Sequence, residues 1–333
     1  MRVPAALATV MILAAPGPAP AAEGEWSVEV QPVYMQVYGH DPHVLTVHEV
    51  DLDATPALDS KAAVLLESDT DFAYRAEILW ARSEWSWGLD FLIFRTPQAA
   101  GPLSAAADGP GGAVDEVAFE VADRTFTSSG PGDVLFYRVL EDTTIETWTL
   151  DLYALKTLAE GPGTALQLQL GLRNADFDND YRAVVGIEDV GGARLDASSN
   201  YDRMMGPLVG LAGSVERGKH SFAGYLGQSL VFGNVELSGS SREFSGPFSE
   251  TPAFFAQETL RTEQEVGIPI TDFRLDWRMR LTDLVSVGAG LDTAAWWEVP
   301  VPPGIVPGVD GDEALAENTI VFFGVLAAFQ LTF

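Results

Sequence analysis

The stretch 271–281 reads TDFRLDWRMRL, with Asp272, Arg274, Asp276, Arg278 and Arg280 at alternate positions. Carboxylates and guanidiniums spaced this way can pair with one another across a closed space, or line a hydrated channel whose charges set ion selectivity. The residues between them, Phe273, Leu275, Trp277, Met279 and Leu281, are all apolar. Side chains of a β-strand point alternately to opposite faces, so this segment predicts a strand with one apolar face and one charged face.

Two other groups of residues invite chemistry. His40, His43 and His48 lie close together in sequence with Asp41, and a His-x-x-His pair beside a carboxylate is a zinc-type ligand set when the ligands converge in space. The run DFDND places Asp176, Asp178 and Asp180 at the first three ligand spacings of a calcium loop. Tyr181, however, stands where the tight-turn glycine belongs, and Ile187 where the bidentate glutamate belongs. Neither pattern completes a metal site, and divalent cations are expected only as loose counterions to clustered acid. No Gly-x-Ser-x-Gly or His-Glu-x-x-His occurs, and His220 and Ser221 would point to opposite faces of a strand. The sequence therefore predicts no enzyme and no cofactor.

The alternating charges need strands to hold them, and the same split recurs along the chain. In 164–173, Leu166, Leu168, Leu170 and Leu172 oppose Gln167, Gln169, Gly171 and Arg173; in 72–80, Phe72, Tyr74, Ala76, Ile78 and Trp80 oppose Arg75 and Glu77. In 285–297, Val285, Val287, Ala289, Leu291 and Trp297 oppose Ser286, Gly288, Gly290 and Asp292. Segments 26–38, 85–96, 144–158, 203–216, 220–234, 271–281 and 318–333 complete a set of about ten strands by the same periodicity. In 220–234, Gln228 interrupts the apolar face. Short turns alternate with long segments at 39–69, 97–143, 175–202, 235–267 and 298–317, the plan of an all-β, transmembrane antiparallel barrel. Twelve strands is the alternative, with VDEVAFEVA and DVLFYRV as a further hairpin in 97–143. Aromatics including Trp26, Trp80, Trp85, Trp87, Trp148, Tyr225, Trp296 and Trp297 fall near strand ends, where a membrane-interface girdle belongs, while Trp277 sits nearer mid-strand.

In this register Arg75, Glu77, Asp90, Asp151, Gln167, Gln169, Arg173, Asp272, Arg274, Asp276, Arg278, Arg280 and Asp292 point inward and are the pore-lining candidates. The chain carries 48 acidic against 19 basic residues, for a net charge of -29. About two thirds of the acid lies in the five long segments, which reads as an acidic extracellular crown on a nearly neutral wall. Such a surface excludes nucleic acid, whose phosphates require a basic one. There is no cysteine and hence no disulfide framework. Arg2, the apolar run 3–15 and the small residues Ala19, Ala21 and Ala22 predict a signal peptide over about 1–21, followed by a single barrel domain over 22–333 in the outer membrane of a Gram-negative-type envelope. The last stretch, NTIVFFGVLAAFQLTF, presents Phe329, Leu331 and Phe333 on one face. It is expected to pair with 26–38 and to carry the closing-strand signal read by outer-membrane assembly machinery. The expected partners are that machinery and outer-membrane lipid. The expected function is a narrow porin-like channel for small solutes or ions, with a closed barrel acting as adhesin or envelope scaffold as the alternative.

The stretches LQLGLR at 168–173, GPLVGLAG at 206–213 and GYLGQSLVFG at 224–233 resemble the central strands of the pore-forming major outer membrane protein family of the Legionella type. There a Gly-Leu-Arg strand is followed by a Gly-Pro turn into a glycine-spaced strand. The resemblance covers about a quarter of the chain and implies a barrel fold with pore activity.

Overall fold

The computed structural model describes residues 24–38, 45–51, 58–64, 70–82, 85–106, 116–121, 124–129, 136–187, 191–245, 254–300 and 317–333. In chain order the strands are β1 (Trp26–Tyr38), β2 (Leu45–Asp51), β3 (Leu58–Val64), β4 (Thr70–Arg82), β5 (Trp85–Ala106), β6 (Glu116–Val121) and β7 (Arg124–Ser129). They continue with β8 (Phe136–Gly161), β9 (Thr164–Ile187), β10 (Gly191–Arg217), β11 (His220–Ser245), β12 (Phe254–Arg280), β13 (Val285–Pro300) and β14 (Glu317–Thr332). Ten of them close into an antiparallel barrel in the order β1-β14-β13-β12-β11-β10-β9-β8-β5-β4, so the expected ten-strand wall is what the chain builds. The seam sets Val28 opposite Leu331 and Val30 opposite Phe329, and the backbones of Trp26 and Phe333 exchange hydrogen bonds of 3.0 and 2.9 Å. Phe329 and Phe333 are exposed on the outer face, and closure leaves the barrel no open edge.

The further wall hairpin of VDEVAFEVA with DVLFYRV, the twelve-strand alternative, does not form. β6 pairs with β7 in a separate four-stranded sheet of order β3-β2-β6-β7, while Phe136–Val139 of the second candidate segment begins β8. Glu116 and Glu120 are thereby spared a place against lipid, where acid is unfavourable.

The long segments 175–202 and 235–267 are corrected by the structure: they are largely strand. β10 and β12 each run 27 residues, against the roughly 9–11 a tilted strand needs to cross a bilayer. The alternation does not stop at Arg173; it changes sign. Below that point the outward row is Leu166, Leu168, Leu170 and Leu172 and the inward row is polar. Above it, Asn174, Asp176, Asp178 and Asp180 face out, while Ala175, Phe177 and Tyr181 are buried inside. The lower half is thus inside-out, as lipid demands, and the upper half is built like a water-soluble barrel. The acid attributed to a crown of loops coats, in good part, the outside of this collar.

At the junction two strands carry bulges. Register shifts between Tyr201 and Met204 and between Trp296 and Val299 centre on Arg203 (φ 54) and Glu298 (φ 56), the two non-glycine residues with left-handed backbone among the described residues. Each inserts one residue, so the buried row passes from Leu195 and Tyr201 to Met204 and Leu208, and from Asp292 and Trp296 to Val299.

Gln228 does face outward in the apolar belt, but it is not orphaned. Thr271 Oγ1 donates to its Oε1 at 2.7 Å, and Trp297 Nε1 donates to Thr271 Oγ1 at 3.0 Å. Trp277 proves to be a girdle residue, because β12 ends at Arg280 and the indole stacks on His220, the first residue of β11, with centroids 5.8 Å apart. Trp26 and Trp80 stack at the same end, 5.7 Å apart. Tyr225 and Trp296, placed in the girdle by their position in sequence, instead point inward, at 8% and 2% exposure.

Candidate functional site

The pore-lining candidates lie inside the barrel, in the lower layer. There they bind one another. The Arg173 guanidinium is fully enclosed: Nε and Nη2 donate to the two oxygens of Asp151 at 2.7 and 2.6 Å, and Nη1 donates to Asp272 at 2.7 Å and to Ser229 Oγ at 3.3 Å. Arg75 clamps Asp90 with two of its nitrogens and reaches Asp292 on β13 with Nη1 at 2.7 Å. β4 and β13 are separated in the wall by β1 and β14, so this bond runs across the lumen. Arg274 Nη2 lies 3.7 Å from Asp90, and its guanidinium sits over the Tyr225 ring at 5.7 Å. Arg278 Nη2 lies 3.1 Å from Glu29 and 3.5 Å from Asp276. Glu77 accepts a hydrogen bond from the Tyr153 hydroxyl. Arg280 alone among these arginines is half exposed, at the short-turn mouth, with Glu216 at 3.8 Å.

Buried charges persist only when paired, and each buried guanidinium here has a carboxylate within 4 Å, with those of Arg75 and Arg173 hydrogen-bonded as well. Bidentate guanidinium–carboxylate geometry also fixes orientation, so the layer is a rigid plate and not a set of mobile side chains. Glu29, Gln31, Tyr153 and Tyr225 belong to it and were not among the sequence candidates. Glu29 and Gln31 sit on the inward phase of VEVQPV, and the alternation alone could have found them. Room for the two tyrosines comes from glycine: the Tyr153 ring occupies the space a Gly88 side chain would need, and Tyr225 that of Gly210 and Gly227. The glycine-spaced motifs of 206–213 and 224–233 thus have a packing role.

Above this plate lies an apolar layer to which all ten barrel strands contribute, from Val33, Ala73, Phe94 and Ile145 to Phe177, Met204, Val231, Ile268, Trp296 and Phe322. Its aromatic rings form a chain across the lumen: Phe94 to Phe322 at 5.8 Å, Phe322 to Trp296 at 6.2 Å, Trp296 to Phe177 at 5.7 Å, Phe177 to Tyr201 at 5.5 Å. The Ile320, Phe322 and Leu326 side chains that made the inward face of the last strand unusually apolar belong here.

His40 and His43 lie outside the described residues. Asp176, Asp178 and Asp180 stand in a row on the outer face of β9, spaced two residues apart along an extended strand, and do not wrap a common centre as a calcium loop does. Among the described residues no group of three or more histidine or acidic side chains is placed to hold a metal ion. Crowding has another effect here. Partial burial, then the charges of Asp176, Asp180, Glu146 and Asp202, push the Asp178 carboxyl up to about 6. An acid whose folded value lies above its unfolded one contributes stability below the unfolded value and loses it as pH rises through the folded one. The melting temperature is therefore expected to fall between pH 5 and pH 7, and Asp178→Asn to make that decline shallower. Equal slopes in thermal melts of the two proteins would contradict this.

No family model and no curated protein matches the chain. Among solved structures it is similar to the outer membrane protease OmpT from Escherichia coli, at 13% identity and TM-score 0.49, covering 93% of this chain and 97% of that one. It is also similar to the Pseudomonas putida toluene transporter TodX (8% identity, 95% and 93% covered, TM-score 0.20) and to a Pseudomonas aeruginosa FadL homologue (8%, 93% and 90%, 0.25). Likeness this distant transfers no activity.

Proposed function

We propose that the chain is an outer-membrane scaffold: a closed barrel, without catalytic activity, that holds an acidic collar and its four-stranded sheet at the cell surface. The observation that carries this reading is the stacking of an apolar layer fed by all ten strands on a plate of cross-lumen ion pairs. A ten-strand barrel lies close to the size that side chains alone can fill, and here two successive layers fill it. The narrow porin-like channel expected from the alternation, and the pore activity implied by the Legionella-type resemblance, would each need a hydrated path through both. In this reading lipid surrounds the apolar belt, assembly machinery reads the strand ending in Phe333, and divalent cations act as counterions to the collar. Purified protein in a planar bilayer is expected to stay silent across the voltage range; discrete, reproducible conductance steps would overturn the scaffold reading in favour of the channel.

A further inference from the structure

The lower plate does not reach the short-turn end of the barrel. Beneath it the lumen opens into a cavity of about 260 Å³. Its wall is almost wholly polar: Leu79 is the one apolar side chain, amid serine, threonine and glutamine. Six residues of formal charge line it, and their arrangement is ordered. Lys219, Arg278 and Arg280 cluster where β11 meets β12, with Glu216 on the β10 side and Asp283 and Glu25 on the β13 and β1 side. Three bases and three acids leave the cavity formally neutral yet polarised along its rim.

Two of the bases, Arg280 and Arg278, are incompletely satisfied. Arg280 has its carboxylate partner Glu216 only at 3.8 Å, with half of its side chain exposed. Arg278, at the roof, is 6% exposed, and its Nε has no hydrogen-bond partner in the structure. A buried polar group left unpaired is costly, so a cavity roofed by a residue that carries one calls for something to fill it. Water alone satisfies such atoms but does not use the separation of charge around the rim.

We propose that this mouth binds a small zwitterion, a molecule with one carboxylate and one ammonium group. The carboxylate docks on Arg280 and Lys219 beneath Arg278, and the ammonium docks on Asp283. The volume suits an amino-acid-sized molecule, lying just below the usual range for drug-sized ligands. A charge-neutral pocket disfavours a simple anion or cation, because either leaves the opposite half of the rim unmatched. Only the blind inner end of the site rests on the closed-lumen reading. Conductance tests that reading and calorimetry tests this one, so the two can fail separately.

The probe is 4-aminobutanoate, with butanoate and butylammonium as its single-charge halves, titrated calorimetrically into the full-length barrel folded in detergent. The whole is expected to bind at least tenfold more tightly than either half. Arg280→Gln is expected to weaken 4-aminobutanoate and butanoate about tenfold and leave butylammonium unchanged; Asp283→Asn is expected to weaken the whole while sparing butanoate. Both side chains are exposed, and heat-modifiable migration verifies that the variants are folded. Retention on insoluble cell-wall sacculi, competed by 4-aminobutanoate, would identify the zwitterion as one anchored in the wall; binding without retention identifies a diffusible solute. Equal affinity for the three probes, no heat with any of them, or indifference to Arg280→Gln overturns the proposal.

Discussion

Replacing Arg173 with methionine is expected to lower the stability of the barrel by about 3–5 kcal/mol, the cost of leaving buried charge uncompensated. The side chain is 3% exposed and holds two carboxylates, Asp151 and Asp272, each by a bond of 2.7 Å or less. Methionine fills similar length but donates nothing, so both acids are left facing each other in an enclosed space. The triple variant Arg173→Met, Asp151→Leu, Asp272→Leu removes the whole set and is expected to recover most of the loss, since replacing a complete buried ion cluster by apolar groups is often neutral or better. Equilibrium urea unfolding in detergent or vesicles measures both. A single variant as stable as the parent would mean that water reaches Arg173 and that the plate is not sealed. A triple variant no better than the single would mean that the plate is needed for its hydrogen bonds and not merely tolerated.

That contrast bears on what the residues alone disclose. The inward phase of Arg75, Asp90, Asp151, Arg173, Arg274, Arg278 and Asp292 was legible because a strand beside lipid must alternate, and the six segments that carry them obeyed the rule. Whether those charges face water or each other was not legible. It depends on contacts such as Arg75 with Asp292, which are 217 positions apart and meet only once the barrel has closed. The upper half of the wall was missed for a different reason. Past Arg173 the inward row turns apolar and the outward row acidic, so a search for lipid-facing strands reads 175–202 as loop although its period is still two. Bulges at Arg203 and Glu298 then shift the phase by one residue, and a fixed parity cannot be carried through them. Tyr225 and Trp296 illustrate the same limit: aromatics are enriched at membrane interfaces, but one on the inward phase packs in the lumen, Tyr225 in the charged plate and Trp296 in the apolar layer above it.

Trp296→Ala is expected to lower stability by about 3–5 kcal/mol, the range for truncating a large buried aromatic, and yet to leave the protein electrically silent. The indole is 2% exposed and joins Phe177 on β9 to Phe322 on β14, strands that lie well apart around the wall. Its loss leaves a void in the middle of the ring chain, and adding Phe322→Ala is expected to cost less than the sum of the two because the rings touch. Conductance should remain absent in this double variant, since the ion-paired plate below is intact. Discrete steps are expected only when Arg75→Ala and Asp292→Ala, which remove the bond spanning the lumen, are combined with it. Two independent seals predict this order of outcomes, with stability falling at the first substitution and conductance appearing at the last. Conductance from Trp296→Ala alone would place the whole barrier in the apolar layer and reduce the charged plate to a hydrated lining.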